Sequence, residues 1–428
     1  MTTSSPKLLD QPLTSLRFVR ARSGRNRPLP PKHAAPALNF WAGTDVFLLT
    51  IIAILLALSL MMVYSTTFDW SYQEHGYETF FLFRHAQNMA IAVAVMLTFA
   101  FIPYRALHRL SFFILLASIA SLTAVLLFGD DAFGARRGLI GGRFQPGELA
   151  QLSVVIYLAA WLSSKHTRIR SVVYGLLPFS VIVSIVGVLV LLQPDLSTTV
   201  VIFVTATAMF FLAGADVRHL TFSAMAISGL GLLALRSFGY AQDRVASYFE
   251  GIVDLTQTNY HVQQAITAFL NGGWFGVGLG SGRQKFGYLP APHTDSIFAS
   301  IGEELGVIGA GVVIMLYAVL VVRGFLIARR SPDAFGGLLA AGMTIWLVSQ
   351  ALLNVAVMIA VLPSTGVPLP LISYGGSSMT ALLAGMGIVL SVSRATARQP
   401  IERRTKIGAN SDLSRGNRRQ RLPRPLGS

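Results

Sequence analysis

Apolar runs of about 20 residues recur along most of this chain, and nothing else in it narrows the possible folds so sharply. About 20 apolar residues in helical conformation cross a hydrocarbon core of about 30 Å. Such runs begin near Asp45, Gln87, Leu110, Glu148, Val172, Ser197, Leu220, Ser296, Phe335 and Leu371. The expected fold is therefore an all-α integral membrane protein of about ten transmembrane helices. Composition agrees, with 53% hydrophobic residues, 12% charged residues and a mean hydropathy of +0.60. A soluble domain carries about a quarter charged residues.

Charge gives the orientation. The chain holds 34 Lys and Arg against 19 Asp and Glu, a net charge of +15. Much of the excess sits in residues 1–44 and 396–428, which read as basic, disordered tails flanking a membrane domain at 45–395. An even number of spans puts both tails on one side. Arg105, Arg109, Lys165, Arg168, Arg170, Arg218, Arg323, Arg329 and Arg330 fall on that same side, which the positive-inside rule assigns to the cytoplasm. The basic tails suit anionic membrane lipids and lack the interleaved aromatics of a nucleic-acid surface, so no nucleic-acid partner is expected. With no cysteine, disulfides, thiolate metal sites and thiol nucleophiles are excluded. About forty mostly polar residues precede the first run, unlike a cleavable signal peptide.

Basic residues on the opposite, extracytoplasmic side break the charge rule. Arg136, Arg137 and Arg143 lie between the third and fourth spans; Arg244, Arg283 and Lys285 lie in a long loop at about 237–295, between the seventh and eighth. Arg forks and Lys point charges there suit an anionic ligand such as a lipid-linked diphosphate, or else plain contact with lipid headgroups. Within the long loop, Tyr260–Leu270 has the spacing of a short interfacial helix. Glycines then alternate at Gly276, Gly278, Gly280 and Gly282, a pattern that fits either a tight re-entrant turn or a backbone cradle for phosphate.

Polar residues at membrane depth complete a candidate pocket. Gln145, Pro146 and Glu148 open the fourth span, and Gln193–Asp195 turns between the fifth and sixth. Pro363–Ser378, with Ser377 near its end, breaks an apolar context with prolines and glycines. Irregular backbone at that depth requires burial in protein or a wet cavity. His293 and Asp295 stand where the long loop enters the eighth span. An acid there is either a helix cap or a functional group, and capping alone does not exclude chemistry.

Together GAR at Gly134, QPGE at Gln145, QPDL at Gln193, GGWFGVGLG, YLPAPHTDSIFASIGEELG and LPSTGVPLPLISYGGSS resemble, in order over residues 45 to 395, the SEDS family (shape, elongation, division and sporulation) of FtsW and RodA. The resemblance implies a ten-helix peptidoglycan glycosyltransferase in the bacterial plasma membrane. Its substrates would be lipid II and the undecaprenyl diphosphate-linked glycan, and its partner a class B penicillin-binding protein that supplies the transpeptidase. The family's essential acid carries over onto Asp295, and the acid opening its fourth helix onto Glu148. Departures from the family pattern are GARRG at Gly134, a shorter following loop, Gly147 for serine, Gln151 for lysine and Ser296 for phenylalanine.

On this reading Asp295 is the general base, and Arg136, Arg137, Lys285 and Arg244 are cations for the diphosphate. Gln145, Asp195, Ser377 and His293 line the substrate site, His293 as an orienting group. Glu148 orients a cation or helps hold a divalent ion such as Mg2+. Two other readings use the same residues: a flippase for a lipid-linked sugar, and a non-enzymatic scaffold of a cell-wall complex.

Overall fold

The computed structural model describes residues 43–132, 135–138, 145–164, 169–219, scattered positions between 221 and 236, 239–253 and 259–418; side chains are described at 43–129, 145–164 and, with gaps, from 169 to 397. These belong to one compact unit. Its helices are α1 (Val46–His75), α2 (Phe80–Phe101), α3 (Tyr104–Phe128), α4 (Pro146–Ser164), α5 (Val172–Leu191, opening with a π-helical turn) and α6 (Leu196–Leu212). They continue with α7 (Gly239–Val253), α8 (Tyr260–Gly272), α9 (Ile297–Arg330), α10 (Ala334–Met358) and α11 (Gly376–Arg418).

Seven of the described helices are long and apolar enough to cross a membrane. The fourth and sixth expected spans correspond to α4 and to the shorter apolar helix Leu196–Leu212. The span expected from Leu220 falls largely on positions outside the described residues, as do tail residues 1–42. One element departs from an all-helical chain: β1 (Asp130–Ala132) and β2 (Ala135–Gly138) pair as a short antiparallel hairpin between α3 and α4. The hairpin gives the backbone donors and acceptors of that connection partners of their own. At the other end, α11 continues to Arg418, past residue 395 where the membrane domain was expected to close.

Two helices form the centre. In α10 and in Gly376–Ala397 of α11, 67% and 72% of the spanning window is buried, against 28–44% in the other five. Small residues permit this. At Gly342 a methyl group would meet the Met209 sulfur at 2.6 Å, and at Gly387 it would meet the Met96 carbonyl at 2.2 Å. Membrane helices gain nothing by hiding apolar surface from lipid, so close approach through small residues is what holds them together.

Cross-links at one membrane face register the bundle. Arg323 pairs with the Asp45 carboxylate at 2.7 Å, and Arg105 and the Tyr104 hydroxyl both reach Asp333. Asp45 and Asp333 also cap α1 and α10. The irregular segments 77–79, 192–195, 288–296 and 359–375 lie at the other ends of these helices, and there they enclose the site.

Candidate functional site

The construction of the site begins with a loop that is held by its backbone. In His293–Asp295 three consecutive carbonyls are taken up: Tyr374 N–H donates to His293 O at 2.8 Å, Ser373 Oγ to Thr294 O at 2.6 Å, and Asn354 Nδ2 to Asp295 O at 2.7 Å. The same Asn354 amide donates to Val367 O at 2.7 Å. Asn354 is 1% exposed, so it fastens the acidic loop and the broken 363–375 segment to the central helix α10. Ser197 Oγ donates to Thr365 O, and Tyr317 OH to Pro370 O. Every one of these donors satisfies a carbonyl that irregular backbone would otherwise leave unpaired in the membrane.

Asp295 thereby faces a cavity of about 1020 Å³. Gln145, Glu148, Asp195 and Ser377, all expected from the sequence, line the same cavity, together with Arg84, Asn88, Gln151, Gln193, Gln350 and Tyr374. The cap position of α9 falls on Ser296, one residue after Asp295. Asp195 is the capping acid: it accepts from Thr198 N at 3.1 Å and from Thr198 Oγ1 at 2.8 Å. Glycine is required at Gly366, where φ is 75° and a methyl group would sit 3.2 Å from Asp295 Oδ2.

Glu148 is 7% exposed and is held by neutral donors, Gln350 Nε2 at 3.5 Å and the Ser378 hydroxyl. Where the family carries a lysine, Gln151 accepts from Trp346 Nε1 and from Gln350 Nε2, the latter at 2.9 Å. A chain of carboxamide hydrogen bonds runs from Trp346 through Gln151 and Gln350 to Glu148. Among the described residues, no three acidic or histidine side chains converge on a metal position.

The basic residues are distributed differently from the sequence reading. Arg84, in the second turn of α2, is the one cation among the described residues that line the cavity. Sequence reasoning missed it because the second span was started at Gln87; Arg84, Gln87 and Asn88 at i, i+3 and i+4 form one face of α2 and carry the missed signal. Arg136 and Arg137 lie in β2, beside α3 and α4, and their side chains fall outside the described residues, as does Arg143. Arg244 donates to the carbonyls of Ser364 and Thr365 at 3.2 and 3.4 Å, bracing the broken segment from behind.

Lys285 stands outside the cavity. Its side chain is 3% exposed, and the ammonium group pairs with Glu304 at 2.7 Å and donates to Ser65 Oγ at 3.0 Å and Gly280 O at 2.8 Å. The glycine segment likewise points its N–H groups into the protein. Val277 and Gly278 donate to the carbonyls of Glu303 and Glu304, while Gly280, Arg283 and Gln284 donate to their carboxylates. In return, Val307 and Ile308 donate to Gly273 O and Trp274 O where α9 breaks at Gly306. At Gly276 a methyl group would run into the Glu304 carbonyl and at Gly282 into the Glu303 carboxylate, so these two glycines serve close packing on the broken helix, while Gly278 and Gly280 take left-handed φ of 101° and 77°.

His293 also lies outside the main cavity. It stacks on Trp70 with ring centroids 5.0 Å apart, and burial pushes its pKa down to about 4, so the ring is neutral at pH 7. Nearby, His261 of α8 hydrogen-bonds Ser296, which replaces the family's phenylalanine, and Ser296 Oγ donates to Pro290 O at 2.6 Å. Ser296 thus has polar partners on both sides.

The chain resembles known proteins over most of its length. The chain matches the model of the FtsW, RodA and SpoVE family, described as "cell cycle protein", over residues 46–398. It is 36% identical to a probable peptidoglycan glycosyltransferase FtsW of Aliivibrio salmonicida, over 84% of this chain and 93% of that protein. To the stage V sporulation protein E of Bacillus subtilis it is likewise 36% identical, over 82% and 97%. Among solved structures, it resembles the rod shape determining protein RodA of Thermus thermophilus with a TM-score of 0.63 at 28% identity, over 83% of this chain and 98% of that one. It resembles a chain from a peptidoglycan synthase complex that coordinates polymerisation and crosslinking with a TM-score of 0.69, also at 28% identity, over 83% and 99%. The chain is a multi-pass membrane protein and belongs to the FtsW/RodA/SpoVE family.

Proposed function

We propose that this chain is a peptidoglycan glycosyltransferase that polymerises lipid II, with the cavity around Asp295 as its active site. The observation that carries the assignment is the immobilised 293–295 loop: its backbone is held at three consecutive carbonyls and its carboxylate faces a large polar cavity. Fixed backbone preorganises a catalytic group, and such positioning supplies much of an enzyme's rate.

The reaction joins the 4-hydroxyl oxygen of one lipid II to the anomeric carbon of the growing strand. The bond from that carbon to undecaprenyl diphosphate breaks, and the diphosphate leaves with the electron pair. Asp295 accepts the hydroxyl proton as the new bond forms, a contribution typically of about a hundred- to ten-thousandfold. Arg84, at the cavity wall, meets the charge that develops on the leaving diphosphate. Glu148, Gln350 and Gln151 bind and orient the sugars through a chain of carboxylate and carboxamide hydrogen bonds.

In this reading the cavity face is extracytoplasmic and both tails are cytoplasmic. Arg105, Arg323, Arg329 and Arg330 on the opposite face support that orientation. A class B penicillin-binding protein is the crosslinking partner, in line with the resemblance to a synthase complex.

Purified protein given fluorescent lipid II tests the assignment. Glycan polymer, lost in Asp295→Asn, is the expected result. Scrambling of lipid II between leaflets without polymer points instead to a flippase, and neither activity points to a scaffold.

A further inference from the structure

One short loop separates two hollows. Thr294 and Asp295 face the main cavity, whereas Pro292 and His293 form one wall of a second hollow of about 340 Å³. Its other walls are the end of α1, from Ser65 to Gln73, and the segment from Lys285 to Leu289. The volume lies at the lower end of the range of about 300–1,000 Å³ typical of small-molecule sites.

The lining combines ring faces with hydrogen-bond acceptors. Phe286, 44% exposed, and Phe68 supply rings, and Trp70, stacked between Phe81 and His293 yet 43% exposed, supplies its ring edge. Asp69 and Gln73, one helical turn apart on α1, supply the polar groups, and Gln73 Nε2 donates to Asp69 Oδ2 at 2.7 Å. That bond sets both side chains in place, while the second carboxylate oxygen and the amide oxygen retain acceptor capacity. The local charge is negative. Lys285, the one Lys or Arg among the described residues of the lining, is neutralised by Glu304, and His293 is neutral near pH 7.

These features exclude two ligand classes. A diphosphate would meet the Asp69 carboxylate with no free cation to offset it. An acyl chain would strip water from Asp69 and Gln73 without offering a donor in return. A saccharide answers both demands, because its hydroxyl groups donate to the acceptors while its C–H groups pack on Phe286 and on the exposed edge of Trp70.

We propose that this hollow is a carbohydrate subsite that grips sugar rings of the glycan strand one loop away from the general base. The inference rests on the polymerase reading and adds a role to it. A strand held here stays with the enzyme between additions, so the subsite governs product length.

Two measurements test it, one with turnover and one without. Asp69→Asn and Gln73→Ala change acceptor groups and leave the 293–295 loop contacts intact. Each is expected to shorten the glycan product at least about threefold on a gel at equal lipid II consumption. A peptide-free tetrasaccharide of alternating N-acetylglucosamine and N-acetylmuramic acid is expected to quench tryptophan fluorescence of the parent protein. Trp70→Phe is expected to remove that signal, and Asp69→Asn to weaken binding about tenfold, as loss of a charge-assisted hydrogen bond implies.

Unchanged product length together with no quenching overturns the subsite, as does quenching that persists in Trp70→Phe. Quenching by the stem peptide in place of the tetrasaccharide overturns it as well. Binding is read without catalysis. A parent protein that makes no polymer but binds the tetrasaccharide through Asp69 therefore refutes the polymerase reading and sustains the subsite.

Discussion

The Asp295 cavity and the cluster around Glu303 and Glu304 use the same materials: carboxylates, a cation, glycines and backbone N–H groups beside a broken helix. They use them in opposite ways. In the cluster each charge meets its counterpart inside the protein, since Lys285 pairs with Glu304 and the glycine-segment N–H groups donate to both glutamates. In the cavity, Glu148, Asp195, Asp295 and Arg84 border about 1020 Å³ of open space. A cation whose charge is already matched in the interior holds the fold together, and one that borders a cavity can serve a ligand. Composition alone does not separate the two.

The sharpest way to break this comparison is to unpair the cluster. Glu304→Ala leaves the Lys285 ammonium buried without its partner, and breaking a buried pair from one side costs about 3–5 kcal/mol. A large fall in thermal stability in detergent is expected, with partial recovery in the Lys285→Met, Glu304→Gln double variant. If Lys285→Ala lowered lipid II affinity without lowering stability, Lys285 would belong with the ligand and the contrast would collapse.

Asp295→Asn tests the other side. It is expected to keep the parent melting temperature and lose polymerisation by at least about a hundredfold, the lower range for general-base loss. Near-parental polymerisation by this variant would remove Asp295 from the chemistry.

Arg84→Ala is expected to weaken lipid II binding about ten- to a hundredfold, the equivalent of one charge-assisted hydrogen bond of about 1.5–3 kcal/mol. The control is Arg418→Ala, far along the tail helix, which is expected to bind like the parent. Equal affinities for the two variants would take the diphosphate away from Arg84.

Gly147→Ser should do least. A side chain there would approach Thr198 Cγ2 at 3.5 Å and Asp195 Oδ2 at 3.9 Å, which is ordinary contact. Stability and activity are expected to stay close to the parent, with stability within about 0.5 kcal/mol. A loss of several kilocalories in a denaturation series would show that the fourth-helix opening is packed more tightly than these distances allow.

Several of these residues were readable in advance because their cost is local. An acid at the head of an apolar run needs a reason wherever the run is placed, so Asp295 and Glu148 stood out unaided. Arg84 did not stand out. It sits among Phe80–Phe83 and His85, where an apolar stretch conceals a polar face of α2. Lys285 stood out for the wrong reason, since a lysine beside four alternating glycines looks the same in one dimension whether it meets phosphate or a glutamate 19 positions away.

By itself the sequence determined the membrane class, the helices that its apolar runs specify and the positions where the backbone must break. These follow from hydropathy, chain length and residue conformation, all of which act within a few turns. Tertiary structure alone decided which charges cancel and which border the cavity. That choice depends on pairs distant in sequence, such as Asn354 with Asp295 and Ser65 with Glu304. Electrostatic energy varies with separation and burial, which no local pattern encodes, so function became visible only once the helices were in register.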